Sequence, residues 1–161
     1  MGKEKQLVVI IGRKEMFTIR LWHYKLLPVL PDKMIVSEWR ECIAIKRQWE
    51  KGTLKHRLVS YAKDYDGIYF ATYVTKLIME LNFRKINTKY KYFDEILQFC
   101  RDNGEIGYGN FYYPEHNDRY LKQCYYNLQE KYDRGIITKE EWEKVKSCSD
   151  LYDIDVYDGD F

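Results

Sequence analysis

Lys33-Met34-Ile35-Val36-Ser37-Glu38-Trp39-Arg40-Glu41-Cys42-Ile43-Ala44-Ile45-Lys46-Arg47-Gln48-Trp49 reads as one long helix, and its two faces set the terms for the rest of the chain. With Trp39 at 0° and about 100° per residue, Ile35, Cys42, Ile43 and the stem of Lys46 fall within about 60° of it and form a core stripe. Arg40, Ala44, Arg47 and Lys51 gather between about 80° and 140°, and Glu41 stands near 200°, at the border of this basic strip. An acid beside a row of cations suits chemistry on a polyanion. It equally suits a solvated face on which Arg40 and Glu41 make ordinary surface pairs. Asp32 occupies the expected N-cap, while Lys51 and Gly52 supply a stop. Upstream, Pro28 and Pro31 lack amide donors and bias their predecessors away from helix, so residues 20–32 read as irregular.

Working outward, residues 55–63 suggest a short helical turn before Asp64-Tyr65-Asp66-Gly67 breaks the pattern. Phe70, Ala71, Val74, Leu77, Ile78 and Leu81 recur at spacings of three and four and predict a second helix over 68–81, with no strong cap at its start. Tyr92, Phe93, Ile96, Leu97 and Cys100 predict a third, closed by Asn103-Gly104; Gly104, Gly107 and Gly109 then mark a loop. Asn117 or Asp118 caps a fourth helix whose stripe is Leu121, Cys124, Tyr125, Leu128 and Tyr132, with Gly135 at its end. Thr138-Lys139-Glu140-Glu141 is a capping box opening a short fifth helix through Trp142 and Val145. The tail after Cys148 reads as loosely attached. Residues 1–18 read as an appendage, because the possible short strand Leu7-Val8-Val9-Ile10-Ile11 has no clear pairing partner.

There is no internal repeat, glycine-rich phosphate loop or nucleotide-binding βαβ signature. The expected class is all-α, a compact single-domain bundle of about four to five helices with an N-terminal extension (1–18), a helical domain (19–148) and an acidic tail (149–161).

A chain of 161 residues suits one domain. Its 27 basic and 25 acidic residues nearly cancel, but their distribution is uneven. Residues 1–63 are markedly basic, whereas Asp150, Asp153, Asp155, Asp158 and Asp160 crowd the end, so positive surface is concentrated on the body. Sixteen tyrosines could stack on bases, although Tyr, Lys, Ile, Asn and Phe are also what A/T-rich codons produce. Cys42, Cys100, Cys124 and Cys148 are far apart with no CxxC pair, which argues against a zinc knuckle and a secreted disulfide framework, and for reduced core or surface thiols. The apolar run at Leu7–Ile11 is too short for a membrane span or signal sequence. A soluble, cytoplasmic, monomeric protein is expected, with no metal and no cofactor.

Arg20-Leu21-Trp22-His23, Trp39-Arg40-Glu41 and Tyr113-Pro114-Glu115-His116, taken in order and spacing, resemble the pyrimidine-dimer DNA glycosylase family, the phage endonuclease V-like enzymes. The resemblance spans roughly residues 19–135, with Thr75-Lys76-Leu77-Ile78-Met79-Glu80-Leu81 similar to the family's second helix. It is closest to a bacterial branch whose members open near Arg-Leu-Trp-His-Tyr-Lys. The resemblance implies a compact helical enzyme that removes a cross-linked pyrimidine from double-stranded damaged DNA and then nicks the abasic strand.

The family's nucleophile is the N-terminal amine, which attacks sugar C1′ to form a Schiff base. An α-amine suits this because its pKa near 8 leaves a useful neutral fraction where a lysine is protonated. By resemblance Glu41 is the catalytic glutamate, stabilising positive charge on the sugar and moving protons. Arg40 holds the DNA backbone. His116 is carried over as a phosphate or sugar contact, against the plain alternative of a capped, exposed loop histidine. His23 could approach Glu41, or could simply pack. A damaged pair costs less to open, which would give access.

Two features depart from the family. The position matching its N-terminal residue is Arg20, which here lies inside the chain, and an amide nitrogen is not nucleophilic. A further family arginine corresponds to Ala44, with Arg47 one turn onward as a substitute. Without an amine at Arg20, Glu41 could activate water, or Lys25 or Lys33 could supply an amine. The alternative function is a non-catalytic helical DNA-binding or damage-recognition protein.

Overall fold

The computed structural model describes residues 20–104 and 111–156. The strand expected at Leu7–Ile11, the extension over 1–18, Gly107, Gly109 and residues 157–161 of the acidic tail lie outside the described residues. Among the described residues the fold is all-α, with no strand. It contains α1 (Asp32–Lys51), α2 (Gly67–Phe83), α3 (Tyr90–Asp102), α4 (Asp118–Asp133) and α5 (Lys139–Lys146), with 3-10 helices at Tyr24–Val29, Ser60–Asp64 and Ser149–Asp153.

Helix α2 lies at the centre, packing on both α1 and α3 and burying Phe70, Ala71, Tyr73, Val74, Leu77, Ile78 and Leu81. Its first residue must be small. A Cβ on Gly67 would stand 2.3 Å from the carbonyl oxygen of Cys100, so the start of α2 can press against the end of α3 only without a side chain. Asp66 is the cap that the sequence pattern did not reveal, accepting a hydrogen bond from the Ile68 amide at 2.9 Å. Gly52 ends α1 in the left-handed region at φ 75°.

Other caps follow the sequence closely. Asn117 accepts from the Tyr120 amide, and Thr138 and Glu141 form both halves of the capping box. At α1, however, Asp32 is the first helical residue rather than the cap; Pro31 takes that place without a side-chain bond.

Residues 20–32 are not irregular. Tyr24–Val29 winds into a 3-10 helix, and Leu21, Trp22, Leu26, Leu27 and Leu30 are all buried. Arg84, just past α2, stabilises this unexpected order. Its Nη1 donates to the Leu30 carbonyl (2.7 Å) and Asp32 carboxylate (2.9 Å), its Nη2 to the Leu27 and Pro28 carbonyls (3.2 and 3.1 Å), and its Nε to Glu80 (2.8 Å). Five bonds use the five donors of a guanidinium, tying the 3-10 helix to α1 and α2.

The tail is also more firmly attached than its composition suggests, since Leu151 and Ile154 are buried and Ser149–Asp153 is helical. Apolar side chains beneath an acidic surface explain the difference. All four cysteines are free and buried, so of the two thiol locations expected the core is the one occupied.

Candidate active site

Helix α1 buries a wider arc than a stripe centred on Trp39. Ile35, Trp39, Cys42 and Ile45 are all buried, which moves the centre of the core face by about 60° and places Glu38 within it. Glu38 is only 3% exposed. Glu41, one turn onward, falls at the edge of the arc and is half-buried. A periodicity reading misses Glu38 because it scores an acid as a surface residue; the available signal was its position between apolar residues at 35, 42 and 45.

The segment from Arg20 crosses α1 at this point. The Trp22 amide donates to Glu38 Oε2 at 3.2 Å, and the Tyr73 hydroxyl from α2 lies 2.6 Å from the same oxygen and 2.7 Å from the Trp22 carbonyl oxygen. Arg20 is half-buried, with its guanidinium 5.2 Å from the centre of the Trp22 ring. Beside this crossing a cavity of about 750 Å³ opens, its wall including Trp22, Lys33, Glu38, Arg40, Glu41 and Lys131. This volume lies within the range of small-molecule pockets.

Burial shapes the acidity of both carboxyls. It pushes Glu38 up to about 8, offset in part by the Tyr73 hydrogen bond, raised further by the neighbouring Glu41 and lowered by the Trp22 amide and Arg20. Burial alone pushes Glu41 up to about 7. A carboxyl titrating near neutrality can both accept and return a proton under cellular conditions.

The cationic residues separate into groups. Arg40 is exposed and lines the cavity, whereas Arg47 is exposed farther along α1, its guanidinium 5.8 Å from the centre of the Tyr92 ring. Ala44 between them is half-buried. Lys33 lines the cavity and donates to the Ile136 carbonyl, while Lys25 is not part of the wall. Lys131, buried within the α4 stripe, was not identified from the sequence because it lies among residues that read as core.

His23 and His116 meet each other rather than Glu41, with ring centres 5.2 Å apart. Neither lines the cavity. His23 is fully buried against Tyr24 and Tyr120, its Nδ1 accepting from the Lys25 amide. His116, 6% exposed, accepts the Tyr24 amide at Nδ1 (3.2 Å), and its Nε2 faces the Tyr61 hydroxyl at 2.7 Å. With Nδ1 an acceptor, the neutral ring carries its proton on Nε2.

Burial lowers His23 to about 4, against a smaller opposing pull from the His116 carbonyl, and lowers His116 to about 3, with the His23 charge adding to the effect. The exposed loop histidine expected at 116 is therefore a core residue. Because both rings are buried, neither presents a cation to a phosphate in this arrangement.

Residues 19–94 match the family model of the pyrimidine dimer DNA glycosylases. The matched stretch includes Arg20, the Trp22–Glu38 crossing, Arg40, Glu41 and Tyr73, and most of the residues that line the cavity. Over that stretch, a little under half of the chain, the protein is similar to this family, which supports a relation to DNA glycosylases. No curated protein and no solved structure matches the chain. Among the described residues, no group of His, Cys, Asp and Glu could hold a metal ion, and no helix is long and apolar enough to cross a membrane.

Proposed function

We propose that this protein is a DNA glycosylase for pyrimidine dimers in double-stranded DNA, with abasic-site lyase activity when the chain begins at Arg20. The observation that carries the reading is Glu41 on the wall of a cavity, its carboxyl raised to about 7, with Arg40 beside it and the Arg20–Trp22 segment crossing its helix one turn earlier. Arg40 would hold a phosphate through its planar fork, and Arg47 a second contact farther along the same face. The damaged pyrimidine would enter the cavity after local opening of the duplex.

In the reaction, a neutral amine at Arg20 attacks C1′ as the glycosidic bond breaks with its electron pair leaving on the base; the nitrogen then loses a proton, and the C1′–O4′ bond opens with its electron pair and a proton going to O4′, which leaves the Schiff base. Glu41 would stabilise the developing positive charge on the sugar and accept the proton. His23 and His116 would contribute by fixing the chain at Tyr24 rather than by touching DNA. We place the enzyme in the cytoplasm, acting as a monomer, within the branch of the family that opens Arg-Leu-Trp-His-Tyr-Lys.

The test uses protein beginning at Arg20 and full-length chain, each incubated with dimer-containing or abasic duplex in the presence of borohydride. The expected result is a covalent adduct and strand nicking with the Arg20 form. Absence of both would eliminate the Schiff-base mechanism. One feature favours a second reading: within the full chain the Arg20 nitrogen is an amide, which leaves a non-catalytic damage-binding protein. That reading predicts preferential, salt-sensitive binding of damaged duplex that survives Glu41→Gln.

A further inference from the structure

Two of the cavity's carboxyls, Glu38 and Glu41, stand one turn apart on α1, and only Glu41 has a task in the proposed chemistry. The oxygens around Glu38 define its state by counting protons. Tyr73 Oη is 2.6 Å from Glu38 Oε2 and 2.7 Å from the Trp22 carbonyl oxygen, both within hydrogen-bond range. A carbonyl oxygen and an ionised carboxylate only accept, and a phenol has one proton. With Glu38 ionised, one of the two short contacts would set lone pairs against each other in a buried site, an arrangement that costs free energy.

A proton on Glu38 satisfies both contacts. Oε2–H donates to Tyr73 Oη, Tyr73 donates to the Trp22 carbonyl, and the Trp22 amide closes the ring on Oε2. The last bond is the longest at 3.2 Å, as suits an oxygen that already holds a proton.

We propose that Glu38 is a neutral, protonated positioning residue, whose ring with Tyr73 and Trp22 clamps the Arg20 segment across α1 and leaves ionisation within the carboxyl pair to Glu41. The functional part of this inference rests on the glycosylase reading; the protonation state does not. Burial, which raises the Glu38 carboxyl to about 8, acts in the same direction. The groups facing Glu38 are Arg20 on the crossing segment, Glu41 and Cys42 on α1, Tyr61 on the second 3-10 helix, Tyr73 on α2 and Cys124 on α4. Arg20 is the cation among them that favours the ionised form, and its effect is the smallest of those acting on Glu38. Asp32, Lys33, Arg40 and Lys131 complete the charges on the cavity wall.

Glutamine has the shape of a protonated glutamic acid, and its NH2 in the place of Oε2 donates to Tyr73 as the acid does, giving up only the Trp22 amide bond, the longest of the ring. The experiment compares wild type, Glu38→Gln and Glu38→Ala in three measurements. In the infrared difference between wild type and Glu38→Gln, a protonated carboxyl band is expected at pH 7 and should disappear on alkaline titration; a carboxylate band at pH 7 overturns the proposal. In urea unfolding, the wild-type midpoint should fall between pH 5 and pH 9, and the Glu38→Gln midpoint should fall less. The raised carboxyl stabilises the fold below its unfolded pKa and loses that contribution as pH rises through about 8. Equal falls in the two proteins count against the ring.

In dimer cleavage, Glu38→Ala should lose at least about tenfold in rate, and Glu38→Gln should restore most of it. A folded Glu38→Gln as inactive as Glu38→Ala would make Glu38 a working carboxylate and overturn the positioning role. If the otherwise unaltered protein beginning at Arg20 leaves dimer duplex intact, the glycosylase reading fails, while the infrared and unfolding measurements still decide the state of Glu38.

Discussion

The crossing segment is gripped at two places that treat buried titratable groups in opposite ways. Around Tyr24, His23 and His116 are enclosed by Tyr61, Tyr120 and each other, and burial holds both rings neutral. Around Trp22, Glu38 and Glu41 are raised by burial but reach the wall of an open cavity. Desolvation is the leading cause in both regions, so the shift by itself does not identify a reactive group. Access separates the two regions. The histidine cluster is buried among aromatic rings, whereas Glu41 shares a cavity wall with Arg40.

The sharpest way to break this comparison is to alter one residue from each region and ask whether rate and stability separate. Glu41→Gln should lower cleavage of dimer duplex by about 10²–10⁴-fold, the range for a positioned acid or base, with no loss of stability in thermal unfolding. An equal loss of stability would return Glu41 to a structural role. His116→Ala should do the reverse. It leaves a void and strands the Tyr24 amide and Tyr61 hydroxyl, at a cost of about 2–4 kcal/mol measured by urea unfolding.

His116→Ala should also flatten the acid side of the stability profile. A histidine pKa lowered in the fold contributes stability above its unfolded value of 6.5, and that contribution is lost as pH falls toward about 4 for His23 and about 3 for His116. The carboxyls slope the other way, losing stability as pH rises from 4.5 toward 7 and 8. Between pH 4.5 and 6.5 the two regions oppose each other, so the profile should be nearly level there and fall on both sides. A steep slope inside that window would mean that one region does not titrate as described.

The smallest expected effect lies at the cavity mouth. Arg40→Ala should reduce the slope of log affinity against log salt by about 1 and leave the unfolding midpoint unchanged, as loss of one phosphate contact would. An unchanged salt slope would place Arg40 outside the DNA path.

Much of the helical framework was legible because its signals are local. The stripes of α2, α3 and α4, the stop at Gly52, the Asn117 cap and the Thr138–Glu141 box depend on residues within one or two turns of each other. The misreadings have long-range causes. The segment with Pro28 and Pro31 looks irregular until Arg84, more than fifty residues away, binds the carbonyls of Leu27, Pro28 and Leu30. At the site, the placement of Arg40 and Glu41 beside a basic strip followed from helix geometry. The burial of Glu38 required Tyr73 and the Trp22 backbone, which no periodicity on α1 can report.

The sequence by itself determined an all-α chain, the boundaries of most helices, and a helix presenting Arg40 and Glu41 at the edge of its basic face. These follow from hydrogen bonds within single helices and from a 3.6-residue period. Only the tertiary structure decided that the Arg20 segment crosses this helix at Glu38, that the two histidines face each other, and that a cavity opens beside Glu41. Each depends on desolvation and on partners from distant elements, and the strength of a buried charge or hydrogen bond is set by everything packed around it.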